Sequence, residues 1–194
     1  MDFADSNQLL DPGYMPLETG YYRLSNDQMH VAVLTRMPVC KGKMIDWWFG
    51  YLDGTDTYRM WHPQSHRALH WDENWSPGNY IGASHIIELE MDGLVMQFRI
   101  HFHEPSDFID TSRFEEAKVE TAICANAYNL EKIPKGRVIH LARDTDFGCE
   151  MRSRFWLFEA SEIEAMRMMR HFIAETGRLA DFLPGIYAME KGVE

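Results

Sequence analysis

The feature that most constrains the fold is a long amphipathic helix predicted near the C-terminus, over residues 161–182. Ser161 and Glu164 have the spacing of a capping box, which marks a helix start, and Pro184 followed by Gly185 predicts the end. At about 100° per residue, an apolar stripe runs along one face of this helix. Its members are Ala165, Met168, Phe172, Leu179 and Phe182.

His171 and Glu175 fall in the middle of this stripe, whereas the arginines of the segment fall on the charged side. A histidine and a glutamate buried among apolar side chains are costly unless something satisfies them. A metal ion is one candidate, because two ligands four residues apart on a helix project over the same spot. A core histidine hydrogen-bonded to Glu175 one turn away is the other. Taken alone, the helix favours the hydrogen-bonded pair.

The composition is that of an ordinary globular chain, with 194 residues, 45% of them hydrophobic and 25% charged. This length suits one domain. The net charge of −11 argues against nucleic acid or an anionic membrane as a partner, because both require basic surfaces. No apolar run is long enough to predict a membrane span.

The three cysteines Cys40, Cys124 and Cys149 are odd in number and form no CxxC pair. They indicate neither a disulfide framework nor a cysteine zinc site, which favours a reducing compartment. The first residues are acidic and lack an apolar run, so no signal peptide is predicted. We therefore expect a cytoplasmic protein.

Residues 1–20 contain turn residues and no clean period, which predicts an extended lead-in. A homodimer in which this segment packs on a second subunit is one option. Residues 21–194 are predicted to form a single helix-grip catalytic domain. Within it, Val31 to Thr35 favours a first strand, and residues 43–52 favour a buried helix.

The segment from Thr55 to Trp71 is predicted to be helical with one break. Pro63 disfavours helix at His62 and is favourable at the first position of a new helix. A helical turn or two bearing His66 and His70 would follow.

Antiparallel strands are predicted from residue 84 onward. Asp92 and Gly93 signal a hairpin between strands at 84–91 and 94–103. Further strands are predicted at 118–125, 137–143 and 149–158. This order predicts an α+β, helix-grip architecture. A curved antiparallel sheet would wrap around the long C-terminal helix, with two short helices near the start and a cavity between sheet and helix.

Two upstream residues are candidates to join the C-terminal pair. His66 belongs to a run of histidines spaced four apart, of which His70 is interpreted as exposed. Glu88 lies in an otherwise apolar strand, where alternation places it on one face with Glu90. One of these two acids would point into the cavity, unless this face of the strand is exposed to solvent.

Together, two histidines and two carboxylates would form a set that suits zinc. Its members are His66, Glu88, His171 and Glu175. These ligand types do not exclude iron or manganese.

Several motifs, in this order, resemble one family of hydrolases. They are residues 47–50 (WWFG), the spacing Tyr58-x-x-Trp61-His62-Pro63-x-x-His66, residues 80–88 and 148–156, and the helix with His171 and Glu175. From about Met37 onward, the chain resembles the diacetylphloroglucinol and phloretin hydrolases. The resemblance implies a helix-grip fold related to the plant pollen-allergen (Bet v 1) and START lipid-transfer domains. It also implies one zinc ion per chain and hydrolysis of the carbon–carbon bond between an acyl group and a phloroglucinol-like ring, with a small aromatic ketone as substrate.

Carried over by position, the resemblance implies zinc ligands at His66, Glu88, His171 and Glu175. Glu90 is the alternative to Glu88. Either Glu88 or Glu175 would accept the proton of the attacking water.

The resemblance also implies residues for the substrate. Tyr58 and His140 would bind the ring and move protons, as catalytic and substrate-binding residues. Trp61 and Phe155 are assigned to the substrate pocket, with Phe155 near the place of a second ring-binding tyrosine in the family.

Two other hypotheses stay open. The chain could be a helix-grip module that binds an apolar or aromatic small molecule without chemistry, or an iron oxygenase that uses two histidines and one carboxylate. Elsewhere, Arg152 and Arg154 are interpreted as a solvated strand face, and Trp47 and Trp48 as core residues.

Overall fold

A computed structural model describes residues 1–192 of the chain as one antiparallel sheet gripping a long helix. The strands are β1 (Gly20–Arg23), β2 (Met29–Pro38), β3 (His66–Trp71), β4 (Ser84–Met91), β5 (Leu94–His103), β6 (Val119–Tyr128), β7 (Pro134–Thr145) and β8 (Gly148–Leu157). The helices are α1 (Gly42–Tyr51), α2 (Thr55–Trp61) and α3 (Glu162–Lys191), with short 3-10 segments at Phe3–Leu10, Pro105–Asp107 and Thr111–Arg113. The sheet order is β1-β2-β8-β7-β6-β5-β4-β3. The predicted helix-grip architecture is confirmed.

The β4–β5 hairpin forms where the sequence predicts it. Asp92 and Gly93 both have positive φ, 51° and 78°, as a two-residue turn that follows the twist of its strands requires. Met91 therefore faces Leu94 across the turn, and the register continues to Ser84 opposite His101. This register decides which β4 side chains point toward α3.

Helix α3 begins with the predicted capping box. The Ser161 hydroxyl accepts from the Glu164 amide at 3.2 Å, and the Glu164 carboxylate accepts from the Ser161 amide at 2.7 Å. Within residues 1–192, no helix, α3 included, is long and apolar enough to cross a membrane.

The predicted end of α3 at Pro184 is wrong, because the helix continues through this proline to Lys191. A proline inside a helix leaves the carbonyl four residues earlier without its amide donor. Here that carbonyl belongs to Ala180, and the thiol of Cys40 donates to it at 3.7 Å. Burial raises the pKa of the Cys40 thiol to about 11, so the donor stays protonated. The packed thiol replaces the missing hydrogen bond.

The predicted helical turn bearing His66 and His70 is also wrong, since both residues lie on β3. Pairing with β4 satisfies the backbone after the break at Pro63. A bulge between His66 and Ala68 shifts the alternation, so His66 and Leu69 are buried while His70 is exposed. The bulge thus turns one histidine inward and the other outward.

Both faces of the central strands are covered. The concave face holds the larger apolar core together with α1, α2 and α3, and Trp48 is fully buried there. On the opposite face, Leu9 and Leu10 of the first 3-10 segment pack in a second core that contains Trp156. The lead-in is therefore not extended as predicted, because residues 3–10 coil to place these leucines on the sheet. The division into residues 1–20 and 21–194 stays a prediction.

The interpretation of Arg152 and Arg154 as a solvated strand face is wrong. Both are buried beneath the N-terminal segment, with exposed fractions of 3% and 0%. Glu18 pairs with both guanidinium groups, at 2.7 Å from Nη2 of Arg152. The outer face of β8 is therefore interior, with the arginine charges offset by one carboxylate.

His30 in β2 makes the stability of the fold depend on pH. It is 2% exposed, and its ring lies 5.2 Å from that of Trp156. Burial, with smaller repulsion from the N-terminal ammonium group and Arg154, lowers the pKa of His30 to about 3. The unfolded chain therefore binds one more proton than the folded chain between pH 3 and about 6.5.

We expect the free energy of unfolding to fall as the pH decreases through this window. From pH 7 to pH 5, His30 alone should contribute a loss of about 2 kcal/mol. In His30→Phe, urea unfolding at these two pH values should show a difference smaller by that amount. His70→Phe, at an exposed position, should match the wild type. An unchanged pH dependence in His30→Phe would contradict this assignment.

Candidate metal centre

Three side chains, from β3 and α3, meet at the buried face of α3. His66 comes from β3, and His171 and Glu175 come from the buried face of α3. One ligand atom of each lies within 4.8 Å of the other two, and all three residues are buried. Nε2 of His66 is 3.1 Å from Oε1 of Glu175, and Nε2 of His171 is 3.4 Å from Oε2. We call these residues the His66–His171–Glu175 cluster.

Hydrogen bonds at the far side of each ring fix the tautomers of the two histidines. Nδ1 of His66 lies 2.8 Å from the Tyr58 carbonyl, which can only accept, so Nδ1 carries the proton. Nδ1 of His171 lies 3.2 Å from the Ser65 hydroxyl, which itself donates to the Glu90 carbonyl at 2.6 Å. The single Ser65 proton is thus committed, and Nδ1 of His171 must also donate.

In their neutral forms, both histidines therefore turn a bare Nε2 lone pair toward Glu175. Lone pairs and carboxylate oxygens repel each other, so the cluster needs a cation or added protons between them. Nε2 of His66 and Oε2 of Glu175 are buried without a hydrogen-bond partner among residues 1–192. A neutral His171 cannot donate to Glu175 from Nε2, so the hydrogen-bonded pair considered from the sequence requires an added proton on the ring.

The carboxyl of Glu175 is held in its charged form. Burial alone would raise its pKa, but positive charge and donated hydrogen bonds at His171 and His66 outweigh burial and lower the pKa below its ordinary value, so the charged carboxyl needs added protons or a cation beside it. Two imidazole nitrogens with protonated far sides and one carboxylate are a donor set that zinc accepts. The residues present therefore fit the metal.

Helix α2 holds the cluster in place. The Tyr58 ring stacks on His66 with centroids 3.6 Å apart and planes within 8°. The indole N–H of Trp61 donates to the Glu175 carbonyl at 3.0 Å, and its ring meets His66 edge-on at 5.5 Å. These contacts fix the orientation of His66 and the position of α3.

The structure does not bring Glu88 into the cluster. Along β4, Ile87 and Leu89 are buried toward the cavity, while Glu88 and Glu90 alternate to the other face. Glu88 accepts from Gln97 at 2.8 Å on that outer face, and Glu90 pairs with Arg67. The predicted fourth ligand and its alternative are therefore both misplaced, because the strand face was assigned one residue out of phase.

A cavity of about 460 Å³ extends from the cluster between the sheet and α3. This volume is within the range of small-molecule sites, roughly 300–1,000 Å³. Tyr58, Trp61, His140 and Phe155 all line it, as do His171 and Glu175. The remaining wall is mostly apolar, with residues such as Ile87, Leu89, Ile100, Ile123 and Phe172.

His140 supplies a neutral polar group on β7. Its Nδ1 lies 2.8 Å from the Ser153 hydroxyl, and its ring stacks on Phe172 at 5.2 Å and meets Phe155 edge-on. Burial lowers the pKa of His140 to about 4. The imidazole is therefore uncharged near pH 7, suited to hydrogen bonding within an apolar wall.

Two further histidines beside the cavity were not singled out from the sequence as site residues. His62 stacks on His171 at 5.4 Å, with its Nδ1 buried and without a hydrogen-bond partner in the described part of the chain. His85 lines the cavity from β4. The signal for His85 was its place on the same strand face as Ile87 and Leu89, which a correct register would have shown.

Comparison with protein families matches residues 1–188 to the "DAPG hydrolase PhiG domain". The chain belongs to the DAPG hydrolase family. The resemblance stated from the motifs is thereby confirmed.

Relatives in this family carry two kinds of name. A 2,4-diacetylphloroglucinol hydrolase from Pseudomonas sp. is 22% identical over 225 residues, covering 94% of this chain and 75% of that protein. A phloretin hydrolase from Eubacterium ramulus is 27% identical over 196 residues, covering 83% of this chain and 68% of that protein.

A solved structure shares the fold of this DAPG hydrolase family member. The KanY protein, determined by NMR, has a TM-score of 0.50 at 6% identity and covers 80% of this chain and 96% of its own. Ara h 8.0201 has a TM-score of 0.49 at 13% identity, with 81% and 95% covered.

Proposed function

We propose that this member of the DAPG hydrolase family is a zinc-dependent hydrolase of acylated phloroglucinol-like rings. It would cleave the carbon–carbon bond that joins the acyl group to the ring. The observation that carries the proposal is the His66–His171–Glu175 cluster, whose two Nε2 lone pairs meet a buried carboxylate at one end of a mostly apolar cavity. The names of the relatives, 2,4-diacetylphloroglucinol hydrolase and phloretin hydrolase, point to the same substrate class.

The proposed reaction consumes one water and is a retro-Claisen cleavage. The hydroxyl of the water bonds to the acyl carbon, the bond from this carbon to the ring breaks, and a proton is delivered to the ring carbon. The products are a carboxylic acid and the deacylated ring. Held by His66, His171 and Glu175, zinc would polarise the acyl carbonyl and lower the pKa of water.

Residues of the chain would hold the ring and move protons. Burial raises the pKa of Tyr58 well above its ordinary value, so its hydroxyl stays protonated and is suited to donate to a ring oxygen. The neutral His140 is suited to accept a proton from a ring hydroxyl or to return one. Glu88 lies outside the cavity, so Glu175 is the remaining carboxylate that could accept the proton of the attacking water.

The proposal predicts one zinc ion per chain after purification without chelators, measured by elemental analysis. The zinc-loaded protein should convert an acylphloroglucinol, without oxygen, to equal amounts of carboxylic acid and deacylated ring. Chelation should remove turnover, and added zinc should restore it.

The same measurements separate the competing hypotheses. A protein that binds acylphloroglucinols but holds no stoichiometric metal and produces no acid would be a binding module. Turnover that requires oxygen and iron would indicate an oxygenase. Either result would contradict the proposed function.

A further inference from the structure

His85 is a buried histidine in the cavity wall that the proposed chemistry leaves unused. It lies on β4 and is 6% exposed. Its ring packs between Trp71, at 4.8 Å, and Phe102, at 5.0 Å. Its Nδ1 is enclosed and has no hydrogen-bond partner within residues 1–192.

The neighbours of His85 within residues 1–192 offer its enclosed Nδ1 no hydrogen-bond partner. The indole N–H of Trp71 already donates to the Leu52 carbonyl at 2.6 Å, and the hydroxyl of the adjacent Ser84 is engaged with His101 at 3.0 Å. Phe102 presents only a ring. A buried imidazole without a hydrogen-bond partner is costly, and because Nδ1 is enclosed while the ring lines the cavity, the geometry leaves Nε2 to meet a partner that arrives with a ligand.

The chemistry of that ligand group follows from the charge state of the ring. Burial lowers the pKa of His85 to about 3, so near pH 7 the ring has one N–H and one lone pair. A hydroxyl both donates and accepts, and therefore pairs with Nε2 in either tautomer of a neutral imidazole. An aromatic hydroxyl also brings a flat ring that suits the apolar wall.

We infer that His85 binds one hydroxyl of the substrate ring and thereby selects polyhydroxylated rings. Among the polar residues that line the cavity, three come from different elements: Tyr58 on α2, His85 on β4 and His140 on β7. Hydroxyls at separate ring positions can each be paired with one of them. This inference rests on the proposed function for the class of ring, and it assigns no part in bond cleavage to His85.

The test measures binding of rings that have no acyl bond to cleave. With the zinc-loaded wild type, calorimetry should show that phloroglucinol binds about tenfold more tightly than resorcinol, which lacks one hydroxyl. In His85→Phe this ratio should fall to about one, while the zinc content stays at the wild-type level. His85→Gln, which keeps a donor and an acceptor, should retain part of the ratio. His70→Phe, an exposed change on the neighbouring strand, should leave the ratio unchanged.

Wild-type protein gives a second measurement if His85→Phe does not fold. The imidazole nitrogen resonances of His85, assigned by their absence in His85→Gln, should shift further with phloroglucinol than with resorcinol, which has one hydroxyl fewer to pair. An undiminished ratio in His85→Phe, or His85 resonances that ignore phloroglucinol, would overturn the inference. Loss of zinc from His85→Phe with an unchanged ratio would also overturn it, since His85 would then serve the metal.

These outcomes differ from a failure of the proposed function. A protein that discriminates the rings through His85 but never cleaves an acylphloroglucinol would refute the hydrolase and leave this inference standing. If the protein cleaves acylphloroglucinols but His85→Phe keeps the wild-type ring preference, the proposed function stands and this inference is refuted.

Discussion

His171→Ala is expected to lose stoichiometric zinc and at least about 10³-fold in kcat/KM for an acylphloroglucinol. The substitution removes one of two imidazole ligands and leaves Glu175 buried beside His66 alone. It also removes the Nδ1 donor that pairs with the Ser65 hydroxyl. Zinc content by elemental analysis and steady-state kinetics on the same preparation test both losses together.

A matched pair on β3 controls for the general effect of removing a histidine. His66 is 1% exposed and belongs to the cluster, whereas His70 lies four residues along the same strand on the outer side. His66→Ala should therefore behave like His171→Ala, and His70→Ala should keep zinc and turnover. If His171→Ala retains both metal and turnover, the cluster is not the active centre.

The parts of the fold that were predicted correctly depend on local rules. The capping box at Ser161 and the turn at Asp92 and Gly93 are each decided within a few residues, so the sequence shows them directly. The apolar stripe of α3 placed His171 and Glu175 on the buried face, where the structure has them. Two of the three residues of the His66–His171–Glu175 cluster could therefore be placed from one helix.

The errors have a non-local cause in each case. Whether a strand turns His85 or Glu88 inward depends on a register set by its partners, and a bulge decides between His66 and His70. The helix continues past Pro184, and Cys40, far away in sequence, donates to the carbonyl that the proline leaves without an amide donor. No local pattern contains this information.

Arg152 and Arg154 show most clearly that a local pattern does not reveal which other segment covers a strand face. Alternation correctly places both on the outer face of β8, but it does not show that residues 1–18 cover that face.

We expect Glu18→Ala to lower the free energy of unfolding by about 3–5 kcal/mol, because it leaves two buried guanidinium groups without their carboxylate. Urea unfolding near pH 7 measures the change.

An exposed pair offers the comparison. Asp27 bridges Arg23 at 3.0 Å, but its side chain is 88% exposed, so Asp27→Ala should cost less than about 1 kcal/mol. Equal losses in the two variants would contradict the special role of Glu18.

A double variant distinguishes unpaired charge from lost packing as the cause. If the loss in Glu18→Ala arises from buried charge, then adding Arg154→Met removes a charge that has no counter-ion and should recover part of the stability. If the loss arises from the missing side-chain volume, the second substitution should lower stability further, because it also removes the Arg154 hydrogen bond to the Val33 carbonyl. Recovery would show that the N-terminal segment stabilises the sheet chiefly by neutralising β8. The same strand carries Phe155 and Ser153 on its opposite face, so the wall of the cavity depends on this neutralisation.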